Sequence, residues 1–570
     1  MALQFIFGPA GAGKTHRLIK DMIDKSMEME DKRFVAVVPE QYSMETQQEI
    51  LDMHPNHGCF NIEVTSLTRL AYAVFEEQGI TDINVMDDLS KTLVIRKVLE
   101  DCKDSLLVYK GKTSMMGFTE KVKTVISEFR QYNIGQEQLD SICESVDDYP
   151  VLKMKFQDLS IINDGFNSYI KDKAITSEDL LTLLCGYINK SDYIKNTYFY
   201  FDSFTGFTPV QYKVLEQIMK YCPGMEMTIT LPVSQVGFKG YSPYELFYLS
   251  KETVVKLREI AIKNSVDILN DKVIDFDEDI DYREKSRLGR ISEPLKFIEK
   301  NIFRDAVKEH YEKENDNVQI CALNNPKSEC EYVASTIAGL IKNEGYRFND
   351  FAVIAGDIEG YHKYISQAFE MYEIPCFIDH KEDVLSNKYI DGILAAIDVI
   401  NKNFSIQSVM RFLRQDFVDI DKEECDIFEN YILKSNRRGY SSYTKQWEVT
   451  YKFMEENHIN IVNDVRNKIV DGFKEFKAEF TKKGATVYDK TKAVFMFMEK
   501  HNVQEKINQD IKQFKQMKME VAVKEYSQIM EAVIAVLDRL VSLMSAEIIS
   551  NKEYDDILEA GFAQIKIGII

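Results

Sequence analysis

Proline is scarce, with 11 residues in a chain of 570, and this excludes a proline-rich linker array or a collagen-like repeat. Cysteine is present nine times, at 59, 102, 143, 185, 222, 321, 330, 376 and 425, but never in a CxxC pair. That spacing gives no zinc ribbon and no cluster motif, and it implies reduced thiols in a cytosolic protein. No charged segment followed by an apolar stretch stands at the N-terminus, and no run of 18 apolar residues occurs, so neither secretion nor a membrane span is expected. Positive charge is also in deficit, 71 Lys and Arg against 92 Asp and Glu, for a net charge of −21. A uniformly basic nucleic-acid-binding surface is thereby excluded, whereas a local basic channel, or one shared with a partner, is compatible with it.

What is present is a globular composition: 45% hydrophobic and 11% aromatic residues. The length exceeds what one core supports, and three or four domains are expected. The chain opens on strand, loop and helix: "LQFIF", then "GPAGAGKT", then the amphipathic "HRLIKDMIDKSME". "RFVAVVPEQ" reads as a second strand, so the start is a βαβ unit with a parallel sheet. From about 86 to 190 the periodicity is helical, as in "DDLSKTLVIRKVLEDC" and "GFTEKVKTVISEFRQY". The sheet resumes with "TYFYFD" at 197–202, a helix from Pro209 to Tyr221, and the strand "MEMTITLP".

The charged stretch "NDKVIDFDEDIDYREKSRLGR" at 270–290 reads as a solvated linker. It lacks the central glycine and terminal glutamate of a calcium loop. A second α/β unit follows: "NVQICAL", the helix "SECEYVASTIAGLIKNEG", "DFAVIAG", another helix, and "IPCFID". Helical periodicity then dominates from about 385 to 555. The final "GFAQIKIGII" is apolar and strand-like, and the natural protein is expected to continue beyond it.

Gly8, Pro9, Ala10, Gly11, Ala12, Gly13, Lys14 and Thr15 form G-x-x-x-x-G-K-[ST] between a strand and a helix, where a phosphate-binding loop has to lie. Backbone N–H groups there face phosphates, Lys14 neutralises β and γ oxygens, and the Thr15 hydroxyl joins a Mg²⁺ shell. Such a loop needs an acid at the end of a neighbouring strand, and Asp202 ends "TYFYFD". Asp202 is thus the expected partner of Thr15 at the metal and, with Lys14, the expected catalytic pair. Ser203 follows, and serine cannot take a proton at neutral pH. ATP binding with weak turnover is the resulting expectation. His54, His57 and Cys59 are ligand types, but three in one loop do not make a metal site. "KSNRRGYSSYTKQW" at 434–447 mixes basic and aromatic residues around the only tryptophan, and reads as a helix end followed by a packed loop.

The glycine loop together with "VVPEQYSMETQQEI", "VTSLTRLAYAVF", "DSFTGFTPVQ" and "ELFYLSKETVVKL" resembles the N-terminal half of the AddB family, the B subunits of bacterial AddAB helicase-nucleases. "ECEYVASTIAGLIKNEGYRFNDFAVIA" through "IPCFID" resembles the second motor-like domain of that family. More widely, the chain is similar to superfamily 1 helicases of the UvrD type, which place a glutamine nine residues after the strand-ending aspartate, as Gln211 stands after Asp202. It departs from them in Ser203 for glutamate, in having no adenine-reading glutamine motif before the loop, and in lacking an arginine in "VIAGDIEGYHKYI".

The resemblance implies an α/β fold of two RecA-like P-loop domains, each with a helical insertion. The implied boundaries are 1–85 with 191–265 for the first, 86–190 for its insertion, 266–314 for a linker, 315–400 with 556–570 for an incomplete second, and 401–555 for its insertion. It implies ATP and Mg²⁺ as cofactors, AddA as partner in a heterodimer, and single- and double-stranded DNA as substrate in double-strand break repair in the bacterial cytoplasm. A nuclease and a 4Fe-4S cluster are implied only for a C-terminal part that this sequence does not contain. Gln41, Ser43, Arg69, Tyr72 and Phe207 fall in the blocks with which the family reads the Chi sequence in single-stranded DNA. Leu67 replaces an aromatic common there. Competing expectations are an independent P-loop ATPase or kinase, which would carry a signature such as LSGGQ, and a non-catalytic DNA-binding scaffold.

Overall fold

The computed structural model describes residues 1–58, 60–81, 83–113, 115–171, 173–274, 292–303, 310–313, 317–378, 381–452, 454–455 and 457–568. Cys59, most of the charged stretch at 270–290, Asp379 and the last two residues lie outside them. The chain forms two compact units, one of residues 1–86, 124–145 and 170–320, the other of residues 87–123, 146–169 and 321–570.

The first unit is built on a parallel sheet. Its strands are β1 (Ala2–Gly8), β2 (Arg33–Val37), β3 (Ile62–Thr65), β6 (Thr197–Phe201), β7 (Gly224–Thr230), β8 (Asp267–Ile268) and β9 (Lys272–Val273), in the order β3-β2-β6-β7-β1-β8, with β9 also on β1. A separate small ladder pairs β4 (Val85–Met86) with β5 (Ile175–Thr176). Both faces of the sheet are covered, so its strands read as nearly continuous apolar runs rather than as alternations. On one face Phe5, Phe7, Val35, Val37, Phe199 and Phe201 pack with Leu70, Val74 and Leu215. On the other, Ile6, Phe34, Ala36 and Tyr200 meet Leu18, Ile19 and Met22 of helix α1 (Lys14–Glu28). Helix α2 (Ser43–Met53) adds Ile50 to that second face, and helix α3 (Leu67–Glu77) follows β3.

Two expectations change here. β8 and β9 pair with β1 in register Ala2↔Asp267 and Ile6↔Lys272, so residues 267–273 belong to the sheet rather than to a linker. Two-residue strands carry no periodicity, and only the open edge of β1 makes them strands. The helical segment at 86–190 is also not one body. Its residues 124–145 and 170–190 group with the first unit, 87–123 and 146–169 with the second.

The second unit is mostly helical. One of its cores surrounds Trp447, which stacks on Tyr431 at 5.4 Å and on Phe428 at 5.9 Å, while its indole N–H donates to the Ser442 carbonyl at 3.0 Å. The basic-aromatic stretch at 434–447 is a helix end at Ser435, an Asn436 and a Gly439 at φ 50° and 84°, and then a short packed helix, Tyr440–Tyr443, where a loop was expected, before Trp447. β10 (Lys381–Asp383) and β11 (Lys566–Gly568) form an antiparallel pair, so the strand expected at the end of the sequence is confined to 566–568 within the described residues. "GFA" closes the helix Asn551–Ala563. Of the second α/β unit, the helices Pro326–Glu344 and Ile358–Met371 are present and packed on each other. "NVQICAL", "DFAVIAG" and the described part of "IPCFID" are in no ladder. A strand exists only through its partners, and among the described residues none is supplied to them.

Candidate functional site

The carboxyl ends of β1, β2, β3 and β6 lie on one edge of the first sheet, because all four run parallel. The edge gathers the loops that follow them: 8–13, 38–42, 66 and 202–208.

The loop after β1 is shaped by its glycines. Gly11 and Gly13 adopt φ 75° and 90°, in the region L side chains avoid. A Cβ on Gly8 would sit 2.8 Å from the Ile274 carbonyl. α1 begins at Lys14 with no side-chain cap on its first N–H groups, leaving these donors and the positive end of the helix dipole at the loop. The Lys14 ammonium donates to the Pro9 carbonyl at 2.8 Å, so it spans the loop it belongs to. Burial pushes its pKa down to about 8, against the opposing attraction of Asp202.

Asp202 is buried, and three hydroxyls converge on it. Thr15 Oγ1 donates to Oδ2 at 2.8 Å, Ser203 Oγ to the same oxygen at 3.0 Å, and Thr228 Oγ1 to Oδ1. β7 separates β6 from β1, and Thr228 on β7 fills the gap between the acid and the loop. The Thr15 hydroxyl and the Asp202 carboxylate are a hard-oxygen pair of the kind that holds Mg²⁺, so the donor set fits that ion. Chemically, the site offers backbone donors, one ammonium and a hydroxyl–carboxylate pair, which suits a polyphosphate with a divalent cation.

Two contributors carry no sequence signal. Thr228 lies 26 residues from Asp202 and is an ordinary strand threonine. Glu49, half-buried on α2, has its carboxyl held above the usual range by burial first and then by the charges of Asp202 and Glu45, which places a further acid near the pocket.

The residues expected to touch DNA lie on the same edge. Gln41 and Ser43 follow β2, Arg69 and Tyr72 lie in α3 after β3, and Phe207 follows β6. Gln41 and Tyr72 are exposed. The Ser43 hydroxyl is buried with no hydrogen-bond partner. Arg69 reaches Glu40 at 3.8 Å between two well-exposed side chains, a loose pair of small energetic weight. Phe207 stacks on Phe204 at 4.9 Å and stands edge-on to Tyr212 at 5.7 Å, so its ring is one side of an aromatic cluster. Leu67 is buried core. The two histidines of "HPNHGC" are spent locally: His54 Nδ1 accepts from the Asn56 N–H, and His57 Nδ1 lies 3.2 Å from the Leu51 carbonyl.

A family model described as "ADDB, N-terminal" matches residues 5–291. The chain belongs to the AddB family. A second model, the UvrD-like helicase C-terminal domain, matches residues 279–567. Among the similar proteins, that of Lachnoclostridium phytofermentans is 33% identical over 100% of this chain and 49% of its own length. That of Alkaliphilus metalliredigens is 31% identical, covering 100% and 50%, and that of Clostridium novyi 32% identical, covering 100% and 49%. All three are named as the B subunit of an ATP-dependent helicase/deoxyribonuclease. This AddB-family chain spans about half the length of the relatives it matches. Among the described residues no helix is long and apolar enough to cross a membrane.

Proposed function

We propose that this chain is the helicase-like, nucleotide-binding half of an AddB protein, working with an AddA-type partner in an ATP-dependent helicase-nuclease that processes DNA double-strand breaks in the bacterial cytoplasm. The single observation that supports the reading is the 2.8 Å bond between the Thr15 hydroxyl, at the end of the glycine loop, and the Asp202 carboxylate. Gly8 to Thr15 cradle ATP, Lys14 turns from the Pro9 carbonyl to the phosphates, and Thr15 and Asp202 hold Mg²⁺. Hydrolysis here is slow, because the position after Asp202 is a serine that donates to the acid instead of taking a proton from water. The nuclease and its iron–sulfur cluster belong to the part of the family's length that this chain does not span.

The same reading takes Gln41, Ser43, Arg69, Tyr72 and Phe207 as the face that reads Chi in single-stranded DNA. Their shared position on the carboxyl edge, with the unpartnered buried Ser43 hydroxyl among them, supports it. In domain terms the first unit's sheet is the first motor-like domain, and the helices Pro326–Glu344 and Ile358–Met371 are part of a second.

The test is a complex reconstituted with the AddA-type partner. Alanine at Gln41, Arg69 and Tyr72 together is expected to abolish the response to the cognate Chi sequence while DNA unwinding continues. Unchanged Chi recognition in the triple variant contradicts the DNA reading. Brisk DNA-stimulated ATP turnover by the purified chain alone contradicts the weak-motor reading.

A further inference from the structure

The chain has a net charge of −21, yet residues 434–445, "KSNRRGYSSYTK", hold Lys434, Arg437, Arg438 and Lys445 and no acid. Along the chain the nearest carboxylates are Glu429 on one side and Glu448 on the other. Lys434, Arg438 and Lys445 are exposed, and among the described residues none of the three is ion-paired. Acids of the flanking helices are held by other cations: Glu429 by Arg414 at 2.8 Å, Glu475 by Lys500 at 3.4 Å. From the helix His458–Phe480, the Lys477 ammonium lies 4.8 Å from the centre of the Tyr440 ring, which adds a further cation to the stretch. In an acidic chain, like charges gathered without counter-charges mark a surface that faces an anion.

The backbone under these cations is fixed. The Arg437 guanidinium lies over the Trp447 ring at 5.6 Å, and the buried Arg466 donates to the Tyr443 carbonyl at 2.6 Å. Asn463 Oδ1 accepts from the Trp447 N–H at 3.0 Å, and its amide donates to the Trp447 carbonyl at 2.8 Å. The Gly439 N–H donates to the Phe404 carbonyl, and the Tyr440 N–H to Asn403 Oδ1, both at 3.3 Å. A preformed surface of this kind has little ordering to undergo when it binds.

The stretch has no ring free to stack on a base. Trp447, Tyr443 and Tyr431 are buried, and Lys477 covers Tyr440. Single-stranded nucleic acid is held on exposed aromatic rings. Cations and the exposed Ser441 hydroxyl are instead donors to phosphate oxygens, which position a duplex without reading its bases. We infer that residues 434–445, with Lys477, are a sequence-independent docking site for the phosphate backbone of duplex DNA. The site belongs to the second unit and shares no residue with Gln41, Ser43, Arg69, Tyr72 and Phe207 of the first. It rests on the proposed function only in taking DNA as the polyanion.

The test is acetylation of this 570-residue chain, read lysine by lysine by mass spectrometry, with a blunt duplex of about two helical turns, with a single strand of the same length, or with polyglutamate. Lys434 and Lys445 are expected to be modified roughly threefold more slowly, or slower still, with the duplex at about 0.1 M salt, and at the free rate with the single strand. Lys434→Gln, Arg438→Gln and Lys445→Gln together are expected to weaken duplex binding, followed by fluorescence anisotropy, by roughly tenfold or more at that salt. The slope of log affinity on log salt is expected to become shallower by about 0.9 for each cation removed. ATP binding and the urea midpoint of Trp447 fluorescence are expected to stay unchanged; should the midpoint drop, acetylation of the unaltered chain decides. Equal protection by the single strand, or stronger protection by polyglutamate, which would make the occupant an acidic protein surface, overturns the proposal. An unchanged salt slope in the folded triple variant overturns it too. Alanine at Gln41, Arg69 and Tyr72 is expected to leave the protection of Lys434 and Lys445 intact, so a failed Chi response and a failed docking site are told apart.

Discussion

Ser203 holds its backbone in the left-handed region, φ 64°, and from there its hydroxyl donates to Asp202 Oδ2 at 3.0 Å. The residue is thereby a hydrogen-bond donor to Asp202, the acid proposed to hold Mg²⁺, and on that proposal it is not a base for water. Ser203→Ala is expected to lower the stability of the first unit by about 1 kcal/mol, the usual worth of such a bond, and to leave ATP turnover within twofold. A tenfold loss of turnover in that variant would show that Ser203 takes part in the chemistry.

The legible part of this site is the part written locally. β1, the glycine loop and α1 are contiguous, and Asp202 ends an apolar run, so all four can be read from spacing. Thr228 cannot, because its bond to Asp202 depends on β7 lying between β6 and β1. The same distinction explains the fold. The helix Pro209–Tyr221 has Thr208 and Gln211 as a capping box and proline in its first turn, and its bounds follow from the sequence. β8 and β9 are strands only because β1 has a free side. "NVQICAL" and "DFAVIAG" have the composition of strands, and among the described residues they lack the neighbours that would make them so.

Lys14 gives the nucleotide site a pH dependence of definite sign. Burial lowers its folded pKa to about 8 from 10.5, so between these values the folded chain binds fewer protons than the unfolded one. Stability from this group therefore rises with pH across that window. A polyphosphate favours the charged ammonium, so affinity for ATP runs the other way. Calorimetric titration is expected to show affinity falling above pH 8, with a limiting slope of about tenfold per pH unit. Lys14→Met is expected to remove the slope along with most of the binding. A flat profile in the wild type contradicts the assignment.

Gly392, in the helix Lys388–Asn401, is a packing constraint of the second unit. A Cβ there would approach the Phe417 ring to 2.1 Å, and that ring is held by Tyr389, Phe412 and Phe497 around it. Gly392→Ala is expected to destabilise the unit by about 2 kcal/mol or more. Trp447 is the only tryptophan and is buried in the same unit, so its fluorescence during urea unfolding reads the effect directly.

His501 makes that unit sensitive to acid. It lies among Phe412, Phe417 and Phe497, its Nδ1 is 3.0 Å from the Phe417 carbonyl, and its Nε2 has no partner. Burial pushes its pKa down to about 4 from 6.5, with Lys506 and Lys500 acting in the same direction. The unfolded chain takes up the proton first, so stability is lost as pH falls from 6.5 and the loss is complete near pH 4. Urea midpoints followed by Trp447 fluorescence are expected to decline over that window, and His501→Gln is expected to flatten this part of the decline.

The most direct measurement is calorimetric titration of ATP into the purified chain with and without Mg²⁺, repeated on Asp202→Asn. Micromolar binding that Mg²⁺ strengthens at least tenfold is expected in the wild type, and a Mg²⁺ effect reduced to under threefold in the variant. Binding that ignores Mg²⁺ in both proteins, or no binding in either, contradicts it.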